Sequence, residues 1–258
     1  MKKYLIYTIG LLTLTLLVGC NKDKDNTKYY EQEYPSTAIV LKQAVTDYDG
    51  NVYDAVQIGN QIWMASNLRA THFNDGTEMV DSYIQMPLYF RIDYDNFLND
   101  EYISAPPIYG YYYDYADDKM CPTGWHIPSY EEWQELIDYV DNVYGIGGDY
   151  DGSGGARALA ATCDWSSSNV PYSPGYNLSA NNATGFSALP SSRYFTYSEW
   201  DPYEAYEASF WTNGQETSEW EVGDACIWYN ESSVENNYAT YGGAYPHHLG
   251  CCIRCIKD

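Results

Sequence analysis

The chain is most hydrophobic at its start. Met1-Lys2-Lys3 leads into an apolar stretch from Tyr4 to Val18, interrupted only by Thr8, Gly10, Thr13 and Thr15. That stretch closes on Leu17-Val18-Gly19-Cys20. A basic start, a short apolar core and a small residue before the cut describe a secretory signal peptide. The stretch falls short of the about 20 residues that a membrane-spanning helix needs. The closing tetrapeptide has the form of the bacterial lipobox. The thiol of Cys20 would carry a diacylglycerol, Gly19 leaves room for the peptidase, and Leu17 fills an apolar pocket. Residues 1–19 are thus expected to be a lipoprotein signal peptide. Residues 20–38, polar and without periodicity from Asn21 to Lys28, are expected to be a lipidated flexible tether.

Past the tether, period-two patterning takes over. Val45-Thr46 leads to Asp49-Gly50, Val52 to Ile58 follows, and Gly59-Asn60 separates it from Gln61 to Met64. Asp-Gly and Gly-Asn between strand-like runs signal two-residue hairpins, so residues 39–69 predict a three-stranded meander. Alternation points Val52, Val56 and Ile58 inward on one strand, and Ile62 and Met64 on the next. Residues 75–118 are rich in Tyr, Asp, Asn and Pro and show no period. They predict a long surface excursion ending in a strand at Tyr109–Tyr113.

A period of 3.6 appears once with force. Ser129 and Glu132 make a capping box behind Pro128, and Trp133, Leu136, Ile137 and Val140 then share one helical face. This helix should stop near Gly145, and a shorter one is predicted from Ala156 to Ala161. Beyond Asp164 the best strand candidates are Phe210–Thr212, Ala225–Tyr229 and Cys251–Ile256, the last expected to close a sheet against the first meander.

These segments together resemble the Fibrobacter succinogenes major paralogous domain family. The resemblance rests on Val45 to Tyr53, Ile58 to Ala65 and Asn67-Leu68-Arg69 near the start. Cys121 to Pro128, Glu131-Glu132-Trp133, Gly154-Gly155-Ala156 and Trp165-Ser166-Ser167 extend it. Ala183 to Pro190 and Arg254 to Asp258 complete it. It covers the chain from about residue 44. It implies an α+β, C-type-lectin-like domain over residues 39–258, with two helices packed on small twisted antiparallel sheets and long irregular loops. It also implies a disulfide between Cys121 and Cys255. Cys163, Cys226, Cys251 and Cys252 lie outside the family pattern, and the loops at 81–108 and 195–209 are this chain's own.

Composition narrows the partners. The net charge is −23, from 13 Lys and Arg against 36 Asp and Glu. Such a chain repels nucleic acid and anionic headgroups, so a nucleic-acid partner is excluded. Tyrosine is unusually frequent, at 30 residues, with 8 tryptophans beside it. Exposed rings of this kind stack on sugars or dock protein partners. Seven cysteines leave six once Cys20 is lipidated, and an even number outside the cytoplasm favours disulfides.

Specific chemistry is thinner. Asp149 and Asp151 in a glycine-rich loop offer hard oxygen ligands for calcium, without the later glutamate of an EF-hand. His247-His248 with Cys251, Cys252 and Cys255 has the composition of a soft-metal cluster. The implied bridge and the opposed directions of adjacent histidines argue against it. No carboxylate spacing singles out an acid–base pair, so the chain is read as no enzyme. The expectation is a lipid-anchored envelope protein, at the outer membrane, that binds a glycan or protein partner. Tyr109, Tyr111, Tyr113, Trp200, Tyr203, Tyr206 and Trp211 are its expected contact residues. The alternative is a structural component of the envelope or of a surface appendage.

Overall fold

The computed structural model describes residues 35–80, 89–90, 109–113, 116–145, 154–191, 194–195, 206–213, 223–237 and 249–258. In chain order the strands are β1 (Ile39–Thr46), β2 (Val52–Ile58), β3 (Gln61–Met64), β4 (Tyr89–Phe90), β5 (Tyr112–Tyr113) and β6 (Trp125–His126). Helices α1 (Tyr130–Tyr144) and α2 (Ala156–Leu159) follow. After them come β7 (Tyr194–Phe195), β8 (Glu207–Trp211), β9 (Asp224–Trp228), β10 (Val234–Asn237), β11 (Leu249–Gly250) and β12 (Ile256–Lys257).

The predicted meander is the start of a five-stranded antiparallel sheet in the order β1-β2-β3-β12-β6. The C-terminal strand therefore does close on the first meander, with Ile256 between Trp63 and His126. A second sheet runs β10-β9-β8, and two short pairs join β11 to β7 and β4 to β5. The class is α+β with small antiparallel sheets. Between β1 and β2 the register slips from Leu41 to Val45, and Gln43 takes a positive φ of 50°. The Asp54 carboxylate holds this bulge by accepting from the Gln43 N–H at 2.7 Å and Lys42 Nζ at 3.1 Å.

The alternation argument was only half right, because β2 is covered on both faces. Val56 and Ile58 join one core with Trp63, while Tyr53, Ala55 and Met64 join another. Ile62, expected inside, is only half-buried, and Trp63, its neighbour on the opposite face, is fully buried. A strand buried on both sides loses its period-two signature.

Helix α1 forms as its sequence dictates. Ser129 is the N-cap, its hydroxyl accepts from the Glu132 N–H, and the Glu132 carboxylate accepts from the Ser129 N–H. Gly145 ends it, and Trp133, Leu136, Ile137 and Val140 are its buried face. That face meets Trp63, Phe186 and Phe210. Trp133 stacks on Phe210 at 5.5 Å between ring centroids and tilts against Trp63 at 4.7 Å. Helix α2 stops at Leu159, two residues short of the expectation. Strand β9 lies one residue before the predicted Ala225–Tyr229, whereas β8 starts at Glu207, three residues ahead of the predicted Phe210–Thr212, and ends at Trp211. The polar Val234–Asn237 strand and the two-residue β6 carry no such signal. Cys251 and Cys252 contribute only isolated bridges, so the strand expected over Cys251–Ile256 reduces to Ile256–Lys257.

Arg254 lies at the junction of all this, 1% exposed. Its Nε and Nη2 both donate to Asn67 Oδ1, at 2.9 and 2.6 Å. Nη1 donates to the carbonyls of Met64 and Phe186. The guanidinium also sits over the Phe186 ring at 4.4 Å and faces Phe210 at 5.4 Å.

The Cys121–Cys255 disulfide implied by the resemblance is present, between residues 134 apart. Cys226, Cys251 and Cys252, by contrast, hold their sulfurs as buried thiols, so full pairing of the six cysteines is not realised. Each sits on or beside a strand inside the core, where a bridge would displace packed neighbours. A loop of this length gives about 4–5 kcal/mol in the chain-entropy treatment. Reduction of the bridge should therefore lower the urea unfolding free energy by up to about that amount. Equilibrium unfolding with and without reductant measures it. Equal midpoints would refute it.

A histidine fastens the C-terminal strand. His126 Nδ1 lies 2.7 Å from Asp258 Oδ1, and Nε2 lies 2.9 Å from Glu132 Oε1. Burial pulls the pKa of His126 down, but the hydrogen bonds to Asp258 and Glu132 and their charges outweigh it and raise it above the ordinary 6.5. The folded value exceeds the unfolded one, so this contribution is full below about pH 6.5 and fades as pH rises through the folded pKa. Thermal unfolding across pH 5.5–8.5 (roughly, spanning the range in which histidine titrates) should show wild type losing stability over His126→Gln as pH rises. Parallel curves would show that the clamp is inert.

Candidate functional site

The acidic signature near the N-terminus is where a metal or catalytic centre would first be sought. Asp47 accepts from the Asn51 N–H and side-chain amide, each at 2.8 Å, and from the Tyr53 hydroxyl at 2.5 Å. That hydroxyl accepts in turn from the Arg69 N–H at 2.9 Å, and the Arg69 guanidinium covers the Tyr53 ring at 4.7 Å. Burial raises the Tyr53 pKa well above 10. Asp49 takes the Thr71 and His72 N–H groups at 2.5 and 3.3 Å and lies 2.6 Å from His72 Nδ1. Burial raises the Asp49 pKa, but these bonds outweigh it and hold the carboxyl below its ordinary range. Both aspartates lock the β1–β2 turn onto residues 69–72. Their lone pairs are spent on the fold.

Buried thiols do not make a nucleophile either. Cys252 is fully enclosed, and burial pushes its pKa up to about 11, so the reactive thiolate is scarce at neutral pH. Among the described residues no group of three or more His, Cys, Asp and Glu is arranged to hold a metal ion. Asp149, Asp151, His247 and His248 lie outside the described residues, as do Cys20, Trp200 and Tyr203.

The remaining expected contact residues separate sharply. Tyr113 and Trp211 are core, at 0% and 1% exposure. The Tyr113 hydroxyl donates to the Ala70 carbonyl, and Trp211 Nε1 donates to the Tyr113 carbonyl at 2.6 Å. Neither ring presents a face to a ligand, which corrects that part of the expectation. The reason is that β5 and β8 run beneath other elements, so side chains on both their faces are covered. Tyr109 is half-buried, with its hydroxyl committed to Asp164 at 2.6 Å. Tyr111 is half-buried against the second core. Tyr206, half-buried as well, has an aromatic partner.

Tyr206 stacks on Tyr229 with centroids 4.7 Å apart and planes 23° apart, both rings half-buried. They lie at the open end of the β8–β9 pair, where the Tyr229 N–H donates to the Tyr206 carbonyl at 2.7 Å. Residues 166–181 pack beside them. The Gly175 N–H donates to the Tyr229 carbonyl at 2.8 Å, and the Gly175 carbonyl accepts from the Ser168 N–H at 3.0 Å. A side chain at Gly175 would drive into the Ser166 carbonyl, 2.1 Å from where its Cβ would stand. Asn181 Nδ2 ties this loop down through the carbonyls of Ala161 and Pro174.

The loop so held displays Tyr176, 54% exposed, and Val170, 42% exposed. It also holds Tyr172 at a positive φ of 68°, with the Arg157 guanidinium 4.8 Å over its ring. A bulky residue in the left-handed region costs of order 1–3 kcal/mol and persists where surroundings over-determine it, often at ligand sites. Glu231, next to Tyr229's turn, has its pKa raised by burial first and by the Glu235 charge second. Glu235 accepts from Trp228 Nε1 at 3.0 Å. The arrangement has the parts of a binding surface: ring faces, carboxylates and amides on a pinned loop. Tyr172 and Tyr176 escaped sequence reasoning because nothing periodic marks that Gly-, Ser- and Pro-rich stretch, and Tyr229 falls within the predicted strand Ala225–Tyr229. The usable sign was Ser173-Pro174-Gly175, a turn-forming run between Tyr172 and Tyr176.

Residues 56–257 match the family model described as the Fibrobacter succinogenes major domain. No curated protein and no solved structure matches the chain.

If Asp47 is structural, Asp47→Ala should cost about 2–4 kcal/mol, since it strips partners from the buried Tyr53 hydroxyl and two turn donors. Chemical denaturation measures this. A loss under about 0.5 kcal/mol, the level of an ordinary surface change, would show that Asp47 does not hold the turn.

Proposed function

Because this chain belongs to the Fibrobacter succinogenes major domain family, we propose that it acts as a non-catalytic binding module for a glycan or protein partner. The observation that carries this reading is a set of four tyrosines, Tyr172 and Tyr176 on the hydrogen-bonded loop and the stacked Tyr206–Tyr229 pair that Gly175 of the loop meets. Rings fixed before a ligand arrives lose little entropy on binding, so a rigid aromatic surface binds better than a mobile one. The acids and histidines of the signature segments, meanwhile, are engaged inside the fold. We take the arrangement to be C-type-lectin-like. Support comes from the late strand β12 pairing with β3 and from a helix laid across the sheet.

The module is, on this reading, a lipoprotein held through Cys20 at the outer membrane. Among the described residues no helix is long and apolar enough to cross a membrane. The support for anchoring is instead the Leu17-Val18-Gly19-Cys20 tetrapeptide behind its apolar stretch. A tether over residues 20–38 extends to at most about 60 Å, enough to hold the domain clear of headgroups. Cys20→Ala should move the protein from the membrane fraction to the soluble fraction with its unfolding curve unchanged. Retention in the membrane fraction would rule the anchor out.

For binding, the purified full chain is to be presented with a panel of immobilised glycans and with solubilised envelope extract. The expected result is saturable capture in one of the two. Absence of saturable binding in both would sink the reading.

A further inference from the structure

The tyrosine surface differs from a protein-docking patch in what lies between its rings. Val170 is the single large aliphatic side chain exposed on the loop. The Ser168 hydroxyl accepts from the Val170 N–H at 3.0 Å, and further along the loop the Ser179 hydroxyl donates to Asn177 Oδ1 at 2.8 Å. Asn177, Ser179 and Asn230 are all exposed. Protein hot spots gather aromatics in a desolvated apolar centre. Here the chain neighbours of Tyr176 and Tyr229 are the exposed amides Asn177 and Asn230 instead. Such alternation suits a ligand that alternates C–H faces with hydroxyl groups, as sugar rings do.

Charge narrows the ligand further. The chain carries −23 overall, and Glu231 and Glu235 stand close enough for one to disfavour ionisation of the other. The Arg157 guanidinium, the cation of this surface, is laid flat on the Tyr172 ring. A uronate or sulfated polymer would meet repulsion here and gain little in return.

Building on the binding-module reading, we propose that this surface takes an uncharged polysaccharide. Sugar rings stack on Tyr176 and on the exposed side of the Tyr206–Tyr229 pair, and their hydroxyls bond to Asn177 and the neighbouring carboxylates. Tyr172, held in its left-handed conformation under Arg157, sets the loop that spaces the rings.

The test is affinity electrophoresis of the full chain through gels containing neutral polysaccharides (amylopectin, galactomannan, xyloglucan) or carboxylated ones (polygalacturonate, alginate). At least one neutral polymer should retard the protein, the carboxylated ones should not, and raising salt should leave the neutral retardation unchanged. Tyr176→Ala, at an exposed position, should weaken the neutral interaction about tenfold, and Tyr176→Phe should restore it, as expected of a stacking contact. Tyr229→Ala should act likewise. Because Tyr229 also leans on the core, its thermal midpoint is to be checked alongside, and the Tyr176 pair decides the matter if it unfolds. Retardation by the carboxylated polymers alone would overturn the proposal. So would neutral binding that Tyr176→Ala leaves intact. Saturable capture of an envelope protein with no polysaccharide bound would overturn the glycan assignment and leave the binding-module reading standing. No binder of either kind would remove both.

Discussion

A permanent positive charge buried among aromatic rings constrains this protein more than any other single feature. The guanidinium of Arg254 does not lose its proton at any physiological pH, so its desolvation must be offset by partners in fixed positions. Those partners come from three distant parts of the chain: Asn67 and the Met64 carbonyl after β3, the Phe186 carbonyl and ring, and the Phe210 ring in β8. None can shift without exposing the charge to an apolar wall. The residue next to Arg254 is Cys255, bridged to Cys121, and the one after that is Ile256, seated between Trp63 and His126. One short segment thus fixes the β3 edge, the approach to α1 and the inner face of the second sheet. The Trp63–Trp133–Phe186–Phe210 cluster is the apolar counterpart of that arrangement.

What could be read from the sequence follows from how local each determinant is. The cap, the face and the stop of α1 are written between Ser129 and Gly145, and all were legible. The two hairpin turns, Asp49-Gly50 and Gly59-Asn60, were legible for the same reason, each glycine taking the positive φ its turn demands. Burial was less legible. Tyr113 and Trp211 have the same composition signal as Tyr206, yet they are core because elements far away in sequence cover them. Aromatic frequency reports how much ring surface a chain has and says nothing of which side of the wall it is on. The strand Val234–Asn237 was invisible because its side chains are polar and it is held mainly by backbone pairing to β9.

The acidic residues tell a similar story with a different outcome. Asp47, Asp49 and Asp54 recur at short intervals along the chain. In space each faces backbone N–H groups of a turn or bulge that would otherwise be unsatisfied. An aspartate that accepts a backbone N–H together with side-chain donors, as Asp47 and Asp54 do, or two backbone N–H groups, as Asp49 does, has become part of the fold's own hydrogen bonding. Glu231, by contrast, is exposed two residues past the half-buried Tyr229, and Glu235 accepts from Trp228 Nε1.

A division of labour follows for the whole domain. The segments through which this chain resembles its family supply Asp47, Tyr53, Asn67, Cys121, His126, Glu132, Phe186 and Arg254. Every one of these is consumed in holding the fold together. A signature made of such residues specifies a scaffold and leaves recognition unwritten. Tyr172, Tyr176, Tyr206 and Tyr229 all fall between the signature segments, in stretches whose length and composition the scaffold does not dictate. Relatives built on the same buried arginine and the same bridge are therefore free to differ in these loops. What one of them binds has to be argued from its own surface residues rather than carried over from the family.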